Sequence, residues 1–130
     1  MTGIKVVSCG RCLPKKIFYN DDFEKKLDTS DEWISSRTGI KSRYFAEDET
    51  NWQMAYEASR LAIERAGIST DQIGAVICAT FTPDYATPSV ACVIQRELGL
   101  RCDIPAFDLN AACSGFVYGL KVAQSLMIEM

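Results

Sequence analysis

The stretch "IPAFDLNAACSGFVYGLKVAQSLM", Ile104 to Met127, sets the reading of the fold. Its first eight residues, "IPAFDLNA", have the short, partly apolar pattern of a strand, and from Ser114 onward the chain turns helical. Phe116, Val117, Leu120, Val122, Ala123, Leu126 and Met127 leave a polar stripe of only Lys121, Gln124 and Ser125. A helix apolar on nearly all sides is expected to be central and buried. It runs on to Met130 with no glycine or capping residue after it, so covering protein is expected from a further segment or another chain.

The segments before it extend the pattern. "IGAVICAT", Ile73 to Thr80, is an unbroken run of β-branched and small apolar residues, suited to a parallel strand covered on both faces. Between the two strands, Val90, Ala91, Ile94 and Leu98 mark one helix face, with Thr87 or Ser89 near its N-cap, Pro88 near its first turn and Gly99 at its end. Upstream, Met54, Ala55, Ala58, Leu61, Ala62 and Ala66 recur at three- and four-residue steps, predicting a helix from Asn51 to a stop at Gly67. "GIKVVSCG", residues 3–10, reads as a short strand, and a helix is possible at Asp21 to Leu27. "TSDEW" fits a capping box from Thr29 to Glu32, with Trp33 packing on the surface. Alternating strands and helices imply a layered α/β fold with a mostly parallel sheet.

At 130 residues the chain is long enough for one domain with a real core and needs no disulfide or metal staple. With 48% apolar residues, 24% charged residues and a net charge of −3, it has the composition of a soluble globular protein. No run of like charge points to nucleic acid, and no segment approaches the ~18 apolar residues of a spanning helix. The N-terminus lacks a signal-peptide pattern, so a cytoplasmic location is expected, with no membrane partner. In that compartment the six cysteines are expected as free thiols, most of them in the core. There is no histidine, hence no imidazole base or metal ligand within this sequence.

Cys113 stands where strand meets helix. Ligands of α/β sheets gather beyond the carboxyl ends of the strands, and a helix N-terminus favours negative charge, whether on a thiolate or on a developing thioester oxyanion. Ala111, Ala112, Ser114 and Gly115 leave room for an acyl group. On spacing alone, a small core residue is an equal reading. Cys9 and Cys12 in "CGRC" have the spacing of a redox or zinc pair, but no second pair or histidine completes a zinc site, so no metal is expected.

"PAFDLNAACSGFVYGL" resembles the active-site segment of the β-ketoacyl-acyl-carrier-protein synthase III family, condensing enzymes of the thiolase superfamily. Leu13–Pro14, "DTSDEWISSRTGIKSRYF", "AGISTDQIGAVICAT" and "TPSVACVIQRELG" follow that family's order. The resemblance implies that residues 1–130 are the N-terminal half of a thiolase-like layered αβαβα fold. It implies that Cys113 takes an acyl group from acyl-CoA and passes it, by decarboxylative condensation, to malonyl-acyl carrier protein. Trp33 and Arg37, with Thr29 close by, would hold the adenine of coenzyme A. Thr87 would reach across a homodimer interface to the partner's acyl pocket, where a threonine hints at a longer or branched primer. As a bare sequence feature, Thr87 is equally a helix N-cap.

No tightly bound cofactor is implied; the CoA thioester is a substrate. The His and Asn that promote decarboxylation, and a glycine-rich loop completing the oxyanion hole, belong to the family's other half. This sequence alone is therefore expected not to condense, and a complementary C-terminal half is an expected partner. Two competing readings are a noncatalytic acyl-CoA-binding module and a redox or zinc protein built on Cys9 and Cys12.

Overall fold

A computed structural model describes residues 3–129. It resolves into two compact units: the chain up to Cys12 together with Thr50 onward, and Leu13–Glu49. The first unit contains α3 (Asn51–Ala66), β3 (Val76–Ala79), α4 (Val90–Glu97), β4 (Ala106–Leu109) and α5 (Gly115–Glu129). The second contains β1 (Lys16–Tyr19), α1 (Asn20–Glu24), α2 (Asp31–Thr38) and β2 (Ser42–Phe45).

In the larger unit β3 and β4 pair in parallel, with Val76 opposite Ala106 and Cys78 opposite Asp108. Val76 N–H to Pro105 O at 2.9 Å and Thr80 N–H to Leu109 O at 3.2 Å extend the ladder at its two ends. Alternate strand residues face opposite sides of a sheet. Gly115 and Gly119 of α5 pack onto Ala79 and Ile77, so closely that an added Cβ would stand 3.4 Å and 3.8 Å from those side chains. Asp108, in register with Cys78, reaches instead to the start of α4. The sheet thus carries α5 on one face and α4 on the other, the layered arrangement expected. Val90, Ala91, Val93 and Ile94 of α4, with Leu100 and Ile104, are the buried apolar core.

The helix ends follow the chemistry of their caps. Thr50 and Gln53 form a reciprocal capping box at α3, and Gly67 ends that helix at φ +64°, a conformation that favours glycine. Ser89 accepts the Cys92 N–H to start α4. The α4 cap left open between Thr87 and Ser89 is therefore Ser89.

Two elements depart from the expected pattern. Residues 3–10 form no strand, because a strand needs a neighbouring edge for its backbone groups and none pairs with this segment among the described residues. It lies against α3 instead: Ser8 Oγ donates to Ala62 O at 2.6 Å, and Arg65 Nη1 donates to Cys9 O at 2.9 Å. The second departure is α5. Phe116, Val117 and Met127 are 69%, 63% and 64% exposed, so the apolar faces expected to be buried stand open within this chain. Beside it an apolar groove of about 540 Å³ runs between Val6, Ile63, Ile68, Phe116 and Leu120. Among the described residues no helix is long and apolar enough to cross a membrane.

The smaller unit pairs β1 and β2 antiparallel, Lys16 opposite Phe45 and Tyr19 opposite Ser42. The alternation of strands and helices gave no sign of this pair. The helix expected at Asp21 to Leu27 is α1, shorter and one residue earlier. Phe18, Phe23 and Phe45 form an aromatic cluster with ring centroids 4.9–6.0 Å apart. Asn20, 1% exposed, is the polar hub. Its Nδ2 donates to Asp31 Oδ1 at 2.7 Å and Ile40 O at 2.8 Å, and its Oδ1 accepts from Arg43 Nη2 at 3.0 Å.

Glu49 closes this unit. Its carboxylate accepts backbone N–H groups from Glu47 and Lys15, each at 3.1 Å. Those bonds, the one from Glu47 foremost, hold its pKa down to about 2 from an ordinary 4.5. A depressed carboxylate pKa stabilises the fold above the unfolded value and loses that contribution as pH falls through the folded one. Acid unfolding of this unit is expected to steepen between about pH 4.5 and 2, and Glu49→Gln should flatten that limb in a pH titration followed by circular dichroism. An unchanged acid limb in the variant would contradict the assignment.

Candidate active site

Cys113 is presented by a tight strand-to-helix turn. After β4 the chain passes Asn110 and Ala111 into a 3-10 turn, Ala112–Ser114, and directly into α5. Ser114 N–H donates to Ala111 O at 3.0 Å, and Gly115 N–H to Ala112 O closes the turn. Ala112 sits at φ +45°, the left-handed region that costs an alanine roughly 1–2 kcal/mol. Backbone strain next to a nucleophile is a recurrent feature of functional turns. Gly115 is buried against Ala79 and the Leu109 carbonyl, so the helix starts tight against the sheet. The side chain of Cys113 is left exposed at the sheet's carboxyl edge. Within this chain Cys113 therefore lies outside the buried core of Val90, Ala91, Val93, Ile94, Leu100 and Ile104.

The other cysteines separate from it by environment. Burial first, then the carboxylates of Asp108 and Asp84, push the Cys78 thiol up to about 11, so it stays neutral at physiological pH. Cys92 is half-buried, its Sγ 3.4 Å from Ala106 O. Cys9 and Cys12 are free thiols, and among the described residues no three His, Cys, Asp or Glu side chains are grouped to hold a metal ion.

Trp33 and Arg37 are brought together in the smaller unit. Four residues apart, they share one face of α2, with the Arg37 guanidinium carbon 4.5 Å from the Trp33 ring centroid. Trp33 is 52% exposed. The helix starts one residue later than "TSDEW" suggested: Ser30, not Thr29, is the N-cap and accepts the Trp33 N–H at 3.0 Å. The capping box predicted at Thr29 and Glu32 does not form, because the extended backbone required of a cap falls at Ser30, and the residue three on, Trp33, has no side-chain acceptor to return the bond. Thr29 lies before the helix, half-buried, its N–H donating to Leu27 O at 2.9 Å. Thr87 lies exposed in the loop between β3 and α4.

Two acids with structural roles went unread in the sequence. Asp84 accepts the N–H groups of Asn51 and Trp52 at 2.9 and 2.7 Å, satisfying the first turn of α3. Asp108 accepts those of Val90 and Ala91, both at 2.8 Å, at the first turn of α4. A usable signal was present for Asp108, since a lone carboxylate inside an apolar strand demands hydrogen-bond partners.

Comparison with known proteins agrees with this geometry. A family model for 3-oxoacyl-[acyl-carrier-protein (ACP)] synthase III matches residues 107–129, the segment that carries Cys113. The β-ketoacyl-[acyl-carrier-protein] synthase III of Campylobacter fetus subsp. fetus is 52% identical over 128 residues, 98% of this chain and 39% of that protein. The crystal structure of 3-oxoacyl-[acyl-carrier-protein] synthase III from Aquifex aeolicus VF5 superposes with a TM-score of 0.92 at 44% identity, over 98% of this chain and 41% of that one. The priming β-ketosynthase of the R1128 polyketide biosynthetic pathway superposes with a TM-score of 0.83 at 40% identity, over 92% and 36%. Sequence and fold agree that the chain is a homologue of β-ketoacyl-[acyl-carrier-protein] synthase III, over a segment about two fifths of those relatives' length.

Proposed function

We propose that this chain is the N-terminal, acyl-accepting part of a condensing enzyme that initiates fatty-acid synthesis in the cytoplasm. The observation that carries the reading is the exposed Cys113 on a strained turn at the N-terminus of α5. The Cys113 thiolate attacks the carbonyl carbon of acyl-CoA, and a carbon–sulfur bond forms. The tetrahedral oxyanion is favoured by the N-terminal amides of α5. Collapse breaks the bond to coenzyme A, whose thiolate leaves and takes up a proton.

In the second step malonyl-acyl carrier protein loses CO₂, and the electron pair released attacks the Cys113 thioester. The new carbon–carbon bond expels the Cys113 thiolate. Stabilising that carbanion calls for donors this sequence does not supply, histidine among them. A C-terminal segment provides them, and the open faces of α5 are available to such a partner or to a second copy. Trp33 and Arg37 hold the adenine of the CoA thioester with Thr29 nearby, and Thr87 borders the acyl pocket, in keeping with a primer longer than acetyl. No resident cofactor or metal is required.

Binding of coenzyme A tests the first step separately from the chemistry. The guanidinium–indole distance of 4.5 Å is one stacking contact. A purine between the two groups requires about 7 Å, two van der Waals separations, so Arg37 must swing away from Trp33. With Trp52 replaced by phenylalanine, titration with coenzyme A is expected to change Trp33 fluorescence saturably. Arg37→Ala should weaken binding by about tenfold, within the range of a desolvated cation–π contact. Fluorescence that ignores coenzyme A would contradict the clamp.

A further inference from the structure

Cys9 and Cys12 take no part in the acyl-transfer scheme, yet their spacing is that of a disulfide-forming pair. The docked N-terminal segment keeps them apart. No turn or bend interrupts residues 3–12, and exposure alternates toward its end: Ser8, Gly10 and Cys12 are half-buried, while Cys9 and Arg11 are exposed. Such alternation is that of extended backbone, which sends successive side chains to opposite sides. Cys9 and Cys12 therefore face opposite ways, and three extended steps set their Cα atoms about 10 Å apart. A disulfide needs a separation of ~4.4–6.8 Å. Closing the gap takes a turn with Gly10 and Arg11 at its centre. Gly10 is the residue without clearance, since even a Cβ there would stand 2.0 Å from the Ala58 carbonyl oxygen of α3. Beside it, Ser8 Oγ donates to Ala62 O and Arg65 Nη1 donates to Cys9 O, and both bonds hold the straight form against α3.

We propose that Cys9 and Cys12 are a thiol latch on the N-terminal segment: two thiols while it lies on α3, a disulfide only once it is released. The oxidant is a small disulfide of the glutathione disulfide class. The exposed Cys9 thiolate attacks one of its sulfurs. A bond from Cys9 to glutathione forms, the glutathione S–S bond breaks, and the departing thiolate takes the proton that Cys9 gave up. In the docked segment exchange stops at this mixed disulfide, because Cys12 faces the other way. After release the Cys12 thiolate attacks the Cys9 sulfur and expels the second glutathione, which takes up the Cys12 proton. Two protein thiols are then oxidised and one glutathione disulfide is reduced to two thiols. Docking and the disulfide exclude each other, so each disfavours the other by the same factor.

The test equilibrates the full chain with glutathione and glutathione disulfide, quenches with acid and maps the cysteine peptides by mass. Wild type is expected to carry glutathione on Cys9 with Cys12 free. Gly10→Ala, forced off α3, should raise the fraction of Cys9–Cys12 disulfide about tenfold, equivalent to ~1.4 kcal/mol of docking. Arg65→Ala loses the bond to Cys9 O without adding an atom at the turn, so it serves if the Gly10 variant does not fold; it should raise the fraction in the same sense. Gly3→Ala should match wild type, and in guanidinium chloride all four chains should close alike. The wild-type disulfide form, made in guanidinium chloride and refolded, should be cleaved by protease before residue 13 where the reduced chain is not. Equal disulfide in wild type and in both the Gly10 and Arg65 variants, or a cross-linked chain as protease-resistant as the reduced one, would overturn the latch.

Discussion

Replacing Cys113 by serine is expected to cut acyl transfer from acyl-CoA by at least about 10³-fold, equivalent to ~4 kcal/mol of transition-state stabilisation. The substitution is nearly isosteric and sits on an exposed position, so the turn Ala112–Ser114 and helix α5 should form as before. What is lost is the sulfur nucleophile, since a hydroxyl with no adjacent base is a poor one at neutral pH. Coenzyme A binding in the other unit should be unaffected. Serine at Cys9 or Cys102, which are also exposed, should leave acylation unchanged. That contrast separates a thiol placed for chemistry from one that is merely accessible. Transfer that persists in Cys113→Ser but fails in another cysteine variant would move the nucleophile elsewhere.

The second large effect is structural. A Cβ added at Gly10 would meet the Ala58 carbonyl oxygen at 2.0 Å and the Ala62 nitrogen at 2.9 Å, both backbone atoms of α3. Neither can yield without distorting the helix. Gly10→Ala should therefore lift the N-terminal segment from α3, breaking the Ser8–Ala62 and Arg65–Cys9 hydrogen bonds with it. Overpacking of this kind costs typically ~1–3 kcal/mol, and a clash with backbone on two sides belongs at the upper end. Thermal denaturation should show a Tm lowered by roughly 10 °C, with new proteolytic cleavage before residue 13. Gly3→Ala is the internal control, since nothing lies within 4 Å of its added Cβ. Equal behaviour of the two variants would rule out the close packing of residues 3–12 on α3.

What the sequence revealed depended on how local the determining physics was. The α3 helix was readable because its apolar spacing, its first residue and Gly67 all lie within one short window. The β3 and β4 strands were readable because runs buried on both faces have few alternatives. The strand expected at residues 3–10 failed for the opposite reason: its apolar pattern was right, but a strand exists only with a partner, and pairing is not encoded in the segment itself. The displacement of the α2 cap from Thr29 to Ser30 is a choice between two adjacent hydroxyl residues, decided by where the backbone turns extended. Asn20, Asp84 and Asp108 were invisible as anchors because their partners lie eleven to thirty-three residues away in sequence.

The site divides along the same line. The position of Cys113 between strand and helix could be read from residues 104–127, and the positive φ at Ala112 could not. The family resemblance singled out Trp33 and Arg37; the structure adds that the Arg37 guanidinium lies over the Trp33 ring. Expected burial of α5 was sound as a reading of its composition, yet Phe116 and Val117 remain open within this chain. Among the described residues no element covers them.

The central claim, that Cys113 is the acyl acceptor, is tested most directly by peptide mass mapping. The chain is incubated with a series of acyl-CoA thioesters in the presence of its complementary C-terminal segment, then digested. The account predicts one stoichiometric acyl adduct on the peptide containing Cys113, lost in Cys113→Ser. An adduct on any other cysteine, or an unmodified Cys113 peptide with every thioester tried, would contradict it.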